Sequence, residues 1–198
     1  MKLFINSASP FARKARIVIR EKGLLARTEE VHVVPVESHP DLTGANPVAQ
    51  IPALIDDDGT AWSDSALIAA WLDVEGEGPR LLLDMGDAYW TARRLEVAAA
   101  AILEMTVKMV LEYRRPENER SPFWLKRWEE GLRRGFERAE AMCPGPDVFD
   151  LGTITLAIAA TYADFRYPHI DWRATAPKTA ALQAELEKRQ SFIDTYPK

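Results

Sequence analysis

The sequence predicts two domains, a mixed α/β domain over residues 1–76 followed by an all-helical domain over residues 84–198. Three observations lead to this fold class. Short apolar and β-branched runs alternate with helical patterns in the first 76 residues, a Gly/Pro-rich linker follows at residues 76–79, and almost no strand signal appears beyond it. A chain of 198 residues is long enough for two small domains.

The first domain has the order strand, helix, strand, loop, hairpin, helix. Ser9-Pro10 indicates a helix start, because serine caps helical amides and proline is tolerated at the first helical position. Asp57-Asp58-Gly59 between two short apolar runs indicates a hairpin turn. The predicted elements are a strand at 2–6, a helix from Ser9-Pro10 to Gly23, a strand at 29–34, a loop at 35–52, a hairpin at 53–62 and a helix that begins at Asp64-Ser65.

The second domain shows helical periodicity throughout. Its predicted helices are at 86–114, at 121–142, at 150–165 with Asp150 as the cap, and in a last segment that begins near Pro177 and carries Leu182, Leu186 and Phe192. The helix at 150–165 is apolar nearly all round, so we expect it to be buried on every side.

Composition excludes several classes of function. The formal charge is −5 and there is no basic block, so neither nucleic acid nor an anionic membrane is expected as a partner. The small basic cluster of Arg13, Lys14 and Arg16 is expected to be a solvated helix face. Cys143 is the only cysteine and nothing has zinc-ligand spacing, so we expect a reducing compartment and no metal. No signal peptide or membrane span is apparent, and the prediction is a cytoplasmic protein.

Three local motifs carry a resemblance to a known family. Ser9 begins the run SPFARK directly after the first strand, Asn46 begins NPVAQIPAL before the hairpin, and Asp64-Ser65 begins the helix after it. Together they resemble the glutathione transferase superfamily, whose pattern is S-P-x-x-x-[RK], then N-P-x-G-K-[IV]-P-x-L, then [ED]-S. The first motif is similar to that of the serine-using classes, such as the tau and zeta types and their bacterial relatives.

This resemblance implies a thioredoxin-like, glutathione-binding domain at 1–76 and a helical domain at 84–198. It implies a cytoplasmic, homodimeric detoxification enzyme that takes glutathione as co-substrate, without a metal, and adds its thiolate to a small electrophile. Ser9 is then the catalytic residue, and Ile51-Pro52 is a cis peptide bond that presents the Ile51 backbone to the tripeptide. The implied glutathione-binding residues are Ser9, Phe11, Gln50, Ile51, Pro52, Asp64 and Ser65.

The chemistry of this assignment depends on a thiolate. A free thiol has a pKa of about 8.5, and lowering it by about two units takes roughly 2.7 kcal/mol. The Ser9 hydroxyl and the N-terminus of its helix both favour the anion. Taken alone, Ser9 is more readily explained as an ordinary helix cap, and so is Asp64-Ser65. The presence of all three motifs in order favours the family role.

The sequence departs from the family pattern at three positions. Gln50 replaces a lysine, Ala49 replaces a glycine, and Thr153 replaces an aspartate in the capping box of the buried helix, which we therefore expect to be incomplete. Two other functions stay open: a non-catalytic binding or regulatory protein of this fold, and a glutathione-dependent isomerase or dehalogenase. Tyr113 and Arg114 could face the electrophile. No cysteine begins the first helix, which argues against thiol–disulfide exchange through the protein.

Overall fold

The computed structural model describes residues 1–198 and divides into two compact units. The first unit comprises Met1–Leu82 together with Arg189–Lys198, and the second comprises Leu83–Lys188. The sequence assigned the C-terminal segment to the helical domain, because its periodicity reads as a continuation of the last helix. The structure instead groups Arg189–Lys198 with the α/β unit.

The first unit is built on a mixed four-stranded sheet. Its strands are β1 (Lys2–Ile5), β2 (Glu29–His32), β3 (Ala53–Ile55) and β4 (Ala61–Trp62), in the order β2-β1-β3-β4. β1 is parallel to β2 and antiparallel to β3, and β4 is antiparallel to β3. The buried side chains of the central β1 explain its apolar sequence. Each strand lies where the sequence predicted one, and the sheet fits a thioredoxin-like domain.

Four helices complete this unit: α1 (Pro10–Glu21), α2 (Pro40–Ala45), α3 (Ser65–Glu75) and α8 (Gln190–Ile193). α1 and α3 were predicted, whereas α2 falls in a segment that the sequence analysis treated as a loop. Pro40 occupies the first helical position and the His39 ring accepts a hydrogen bond from the Asp41 amide, 3.2 Å away. The burial of Leu42 stabilises a helix too short to show periodicity.

The basic cluster on α1 is buried, so the prediction of a solvated face was wrong. Arg13 and Lys14 are each 2% exposed and Arg16 is 8% exposed. The Arg13 guanidinium donates to the Phe192 carbonyl at 3.0 Å and lies over the rings of Phe192 and Tyr196. The C-terminal segment thus covers this face of α1, and no pattern local to α1 could have indicated it.

The second unit consists of α4 (Asp87–Tyr113), α5 (Pro122–Met142), α6 (Leu151–Arg166) and α7 (Pro177–Leu186). All four lie in predicted helical segments. α6 is buried from Leu151 to Ala163, as its all-round apolar pattern predicts. It packs so closely on α4 that a Cβ at Gly152 would lie 2.6 Å from the Ala92 carbonyl oxygen. None of the helices is both long and apolar enough to cross a membrane.

The capping box of α6 is complete, which corrects the expectation drawn from Thr153. The Asp150 carboxylate accepts from the Thr153 amide at 2.8 Å, and the Thr153 hydroxyl accepts from the Asp150 amide at 2.9 Å. A threonine hydroxyl therefore fills the reciprocal role of the acidic side chain, since both supply an acceptor oxygen at the third helical position.

Candidate functional site

The sheet register brings the three sequence motifs to one edge of the first unit. Phe4, near the end of β1, pairs with Ala53 at the beginning of the antiparallel β3. Leu54 pairs with Trp62, the last residue of β4, so the chain also leaves β4 at this end of the sheet. We call this end the motif edge. The segments that adjoin these strand ends are those of Ser9, Ile51-Pro52 and Asp64-Ser65.

Ser9 is the N-cap of α1 and is half-buried. Its hydroxyl oxygen accepts a hydrogen bond from the Ala12 amide at 3.2 Å, and its extended backbone turns the chain from β1 into the helix. A serine hydroxyl has one hydrogen as well as two acceptor positions. Because capping uses only an acceptor position, the Ser9 hydrogen remains available to an anion near the positive end of α1. Phe11, at the second position of α1, is half-buried and offers an apolar ring surface.

The Ile51-Pro52 peptide bond is cis, as the motif predicted. Pro52 is buried against the beginning of β3, whereas Ile51 is half-buried. Neither the amide N–H nor the carbonyl of Ile51 has a hydrogen-bond partner within the protein. An extended peptide laid along this backbone would supply both partners, as in the addition of a strand to a sheet edge.

Asn46 holds the loop before Pro52, a role that the sequence analysis missed. Its side-chain amide donates to the Gln50 carbonyl at 2.9 Å, and its side-chain oxygen accepts from the Val48 amide at 3.3 Å. The asparagine at the head of the second motif was the available signal. Ala49 has a φ of 52°, in the left-handed region, which explains why the family pattern has glycine there. The Gln50 side chain is exposed.

Asp64 and Ser65 form the N-terminus of α3. One Asp64 carboxylate oxygen accepts from the Ala66 amide at 2.9 Å and from the Leu67 amide at 3.3 Å, while the other oxygen makes no hydrogen bond. Ser65 is 9% exposed and its hydroxyl has no partner within the protein. The pair therefore caps the helix and also leaves one carboxylate oxygen and one hydroxyl for a zwitterionic amino-acid group.

The tripeptide Ser-Pro-Phe occurs a second time, at the start of α5. Ser121 caps that helix by accepting from the Trp124 amide at 3.4 Å, and Pro122 is the first helical residue. The same three residues thus begin two helices in the same way. Because only Ser9 lies at the motif edge, Ser121 serves as a control that caps a helix in the same way but lies away from the candidate site.

The single cysteine is buried at the end of α5. Burial raises the pKa of the Cys143 thiol, which disfavours the thiolate that redox chemistry requires. No group of three or more His, Cys, Asp or Glu side chains is arranged to hold a metal ion.

The second unit has a cleft of about 550 Å³ between the ends of α4 and α6. Its lining, which we call the arginine cleft, consists of Val110, Tyr113, Arg114, Arg166, Tyr167 and His169. The sequence analysis named Tyr113 and Arg114 and missed the others. The run Phe165-Arg166-Tyr167 at the end of α6 was the signal, since aromatic and arginine side chains beside one another are typical of binding surfaces.

Comparison with known proteins agrees with this geometry. Residues 8–75 match the family described as "Glutathione S-transferase, N-terminal domain". An uncharacterised GST-like protein of Escherichia coli, YibF, is 29% identical over 201 residues, which covers 100% of this chain and 98% of that protein.

Solved structures extend the similarity to both units. A glutathione transferase family member from Pseudomonas fluorescens Pf-5 with bound glutathione is 32% identical, with a TM-score of 0.92 over 100% of this chain and 98% of its own. A glutathione S-transferase from Methylobacterium radiotolerans in complex with glutathione sulfonate is 35% identical, with a TM-score of 0.88 over 99% of this chain and 94% of its own.

Proposed function

This chain belongs to the glutathione transferase superfamily, and on that premise we propose that it binds glutathione at the motif edge and transfers the thiolate sulfur to a small electrophile. The observation that carries the proposal is the state of Ser9, whose oxygen caps α1 while its hydrogen remains free to donate. The relatives crystallised with glutathione or its sulfonate support the choice of co-substrate.

In this proposal each part of the tripeptide meets a different motif. The cysteinyl backbone pairs with the free N–H and C=O of Ile51, and Pro52 and Gln50 flank it. The γ-glutamyl ammonium meets the free oxygen of Asp64, and its carboxylate meets the Ser65 hydroxyl and the amides at the start of α3. Phe11 covers the tripeptide from the side of α1. This arrangement leaves the sulfur beside Ser9.

Ser9 acts on the thiolate. The thiol proton leaves to solvent, and the anion accepts the Ser9 hydrogen at the positive end of α1. A hydrogen bond to a charged group contributes about 1.5–3 kcal/mol and the helix end about 0.3–1 kcal/mol, which together cover the roughly 2.7 kcal/mol of a two-unit fall in pKa. The sulfur then forms a C–S bond, and either a leaving group departs with its electron pair or the adduct takes up a proton.

A second structure of the Pseudomonas fluorescens relative, 31% identical, contains S-(propanoic acid)-glutathione. That compound is a thioether, the class of product that conjugation yields. It favours formation of a C–S bond over the isomerase and purely regulatory alternatives for the present chain, and a dehalogenation by substitution yields the same class of product.

The test compares Ser9→Ala with Ser121→Ala. Both variants lose a helix cap, worth about 1 kcal/mol of stability. Only Ser9→Ala is expected to raise the pKa of bound glutathione, by about one to two units, because only it loses a donor to the sulfur. The measurement is thiolate ultraviolet absorbance against pH, with glutathione affinity from calorimetry. The same thiol pKa in both variants contradicts the role of Ser9, and no glutathione binding by the unmodified protein contradicts the whole proposal.

We also propose that the protein is a homodimer, as the family resemblance implies. On α3, Leu67 is 49% exposed and Val74 is 62% exposed. These positions are seven residues apart, so they share one face of the helix, and that apolar face suits a second copy of the chain. Light scattering of the protein measures whether the chain is a dimer, and light scattering of Val74→Glu measures whether a charge on this face separates the two copies.

A further inference from the structure

We propose that the arginine cleft binds a planar aromatic carboxylate. The inference rests on the proposed function in one respect, namely that this compound is the second substrate. Binding of the compound to the cleft does not depend on the motif edge. Three observations carry it: two unpaired cations in an acidic protein, aromatic walls with unused polar groups, and a volume suited to a small ring compound.

The charge of the cleft is the first observation. The chain carries a formal charge of −5, yet two arginines and a histidine line this cleft and no carboxylate does. Neither the Arg114 nor the Arg166 side chain makes an ion pair or a hydrogen bond, and the Nε atom of Arg166 is buried without a partner. A guanidinium is always charged at neutral pH and its planar fork matches a carboxylate. The Arg166 guanidinium contacts the rings of Tyr162 and Phe165, and an anion in the cleft would supply the hydrogen-bond acceptor that it lacks.

The aromatic walls are the second observation. The rings of Tyr113 and Tyr167 lie 6.0 Å apart between centroids, and the ring of His169 meets Tyr167 edge-on at 6.0 Å. The Arg166 guanidinium lies over the Phe165 ring at 4.5 Å and over the Tyr162 ring at 5.4 Å, which restricts its motion. The Tyr167 hydroxyl makes no hydrogen bond within the protein. Such walls favour a flat ring by stacking and offer further polar contacts at its edge.

The size of the cleft is the third observation. The cleft is open to solvent, since Tyr113, Arg114 and His169 are exposed, and its volume of about 550 Å³ admits a small ring compound. Val110 completes the apolar part of the lining. A substituted ring with a carboxylate can stack on the tyrosine rings and bring an anion to the arginines, whereas a neutral ring leaves both cations without a counter-ion.

Arg114 and Arg166 also have a structural role, which the experiment must distinguish from ligand binding. Arg114 is the C-cap of α4 and Arg166 is the last residue of α6, where a cation complements the helix dipole. This role predicts loss of stability on substitution and no discrimination between ligands. Recognition of a carboxylate predicts a loss that depends on the charge of the ligand.

The experiment uses a matched pair of probes, 4-chloro-3-nitrobenzoate and its neutral amide. Equilibrium binding is measured by calorimetry without glutathione on the unmodified protein, on Arg114→Gln, on Arg166→Gln and on Arg134→Gln. Arg134 is an exposed arginine of α5 outside the cleft, 64% exposed in its side chain, and serves as the matched control. Thermal unfolding of each variant establishes that it is folded.

We expect the carboxylate to bind about tenfold more tightly than the amide, because charge-assisted hydrogen bonds are about twice as strong as neutral ones. Arg114→Gln and Arg166→Gln should each abolish most of this preference, and Arg134→Gln should keep it. Equal affinity for the two probes, or a preference that survives in both cleft variants, overturns the inference.

Turnover with glutathione is then followed separately, as chloride released when the sulfur displaces it from the ring. Carboxylate-selective binding without turnover contradicts the claim that such a compound is the second substrate, and it leaves the cleft assignment standing. Turnover of both probes at the same rate and affinity supports the proposed function and contradicts the cleft assignment.

Discussion

Replacing Asp73 by asparagine removes the charge from one partner of a buried ion pair in the first unit. Asp73 is 1% exposed and accepts hydrogen bonds from the Leu81 amide at 2.8 Å, the Arg80 guanidinium at 2.9 Å and the Leu82 amide at 3.1 Å. The Lys22 ammonium lies 3.2 Å from it and is also buried. These contacts fasten the chain after α3 to the end of α1.

The expected loss of stability depends on which hydrogen-bond acceptors the Lys22 ammonium would keep. Its other acceptors are the carbonyls of Gly78 at 3.3 Å and Pro79 at 3.1 Å, which carry no charge. Leaving one member of a buried pair without its counter-ion costs about 3–5 kcal/mol. Asparagine keeps the volume, so no cavity forms, but its Nδ2 group would face two of the donors that Asp73 now accepts from, and we expect a loss of about 3–5 kcal/mol.

The dependence on pH gives a second, independent readout. Burial by itself raises the pKa of Asp73, but its four hydrogen-bond donors outweigh burial and hold the pKa below its ordinary value. A carboxylate whose folded pKa is depressed contributes stability above its unfolded pKa of about 3.9 and loses it as the pH falls through the folded pKa. The difference between the unmodified protein and Asp73→Asn should therefore be full at neutral pH and shrink below about pH 4.

The assay is urea unfolding followed by circular dichroism, at neutral pH and in steps down to about pH 3. Glu104→Gln is the control, because that carboxylate pairs with Lys108 at the surface, 3.6 Å away, and is 60% exposed in its side chain. We expect it to change stability far less. A loss below about 1 kcal/mol in Asp73→Asn, or a difference that does not change with acid, would refute the reasoning.

Three further outcomes are expected. Asn46→Ala removes the donor to the Gln50 carbonyl and should weaken glutathione binding about fivefold in calorimetry, with unchanged affinity arguing against its role in shaping the loop. Ala49→Gly relieves a left-handed φ and should leave the free energy of unfolding unchanged or slightly higher. Ala26→Gly, at an ordinary φ, should lower it by about 0.5–1 kcal/mol. Equal losses in the two variants would contradict the strain assigned to Ala49. Phe192→Ala empties a fully buried site and should cost about 3–5 kcal/mol in urea unfolding, and a loss below 1 kcal/mol would show that the C-terminal segment is loosely held.

Local patterns identified most of the elements and the candidate motifs. Ser9-Pro10 and Asp64 indicated the starts of two helices, because a helix cap depends on amides that are close to it in the sequence. The all-round apolar pattern of residues 150–165 indicated a buried helix, and Asp57-Asp58-Gly59 indicated a hairpin. Each of these signals lies within a few residues of the structure it produces, so the sequence alone suffices to predict it.

Tertiary structure decided which of those residues meet and what covers them. The sheet register brought Ser9, Ile51 and Ser65 to one edge, and no single motif contains that information. The burial of Arg13 depends on Phe192, which lies far away along the chain. The unpaired state of Arg166 likewise depends on everything that packs around the end of its helix. Propensity and capping act between neighbours, whereas burial and ion pairing act between residues that only the folded chain brings together.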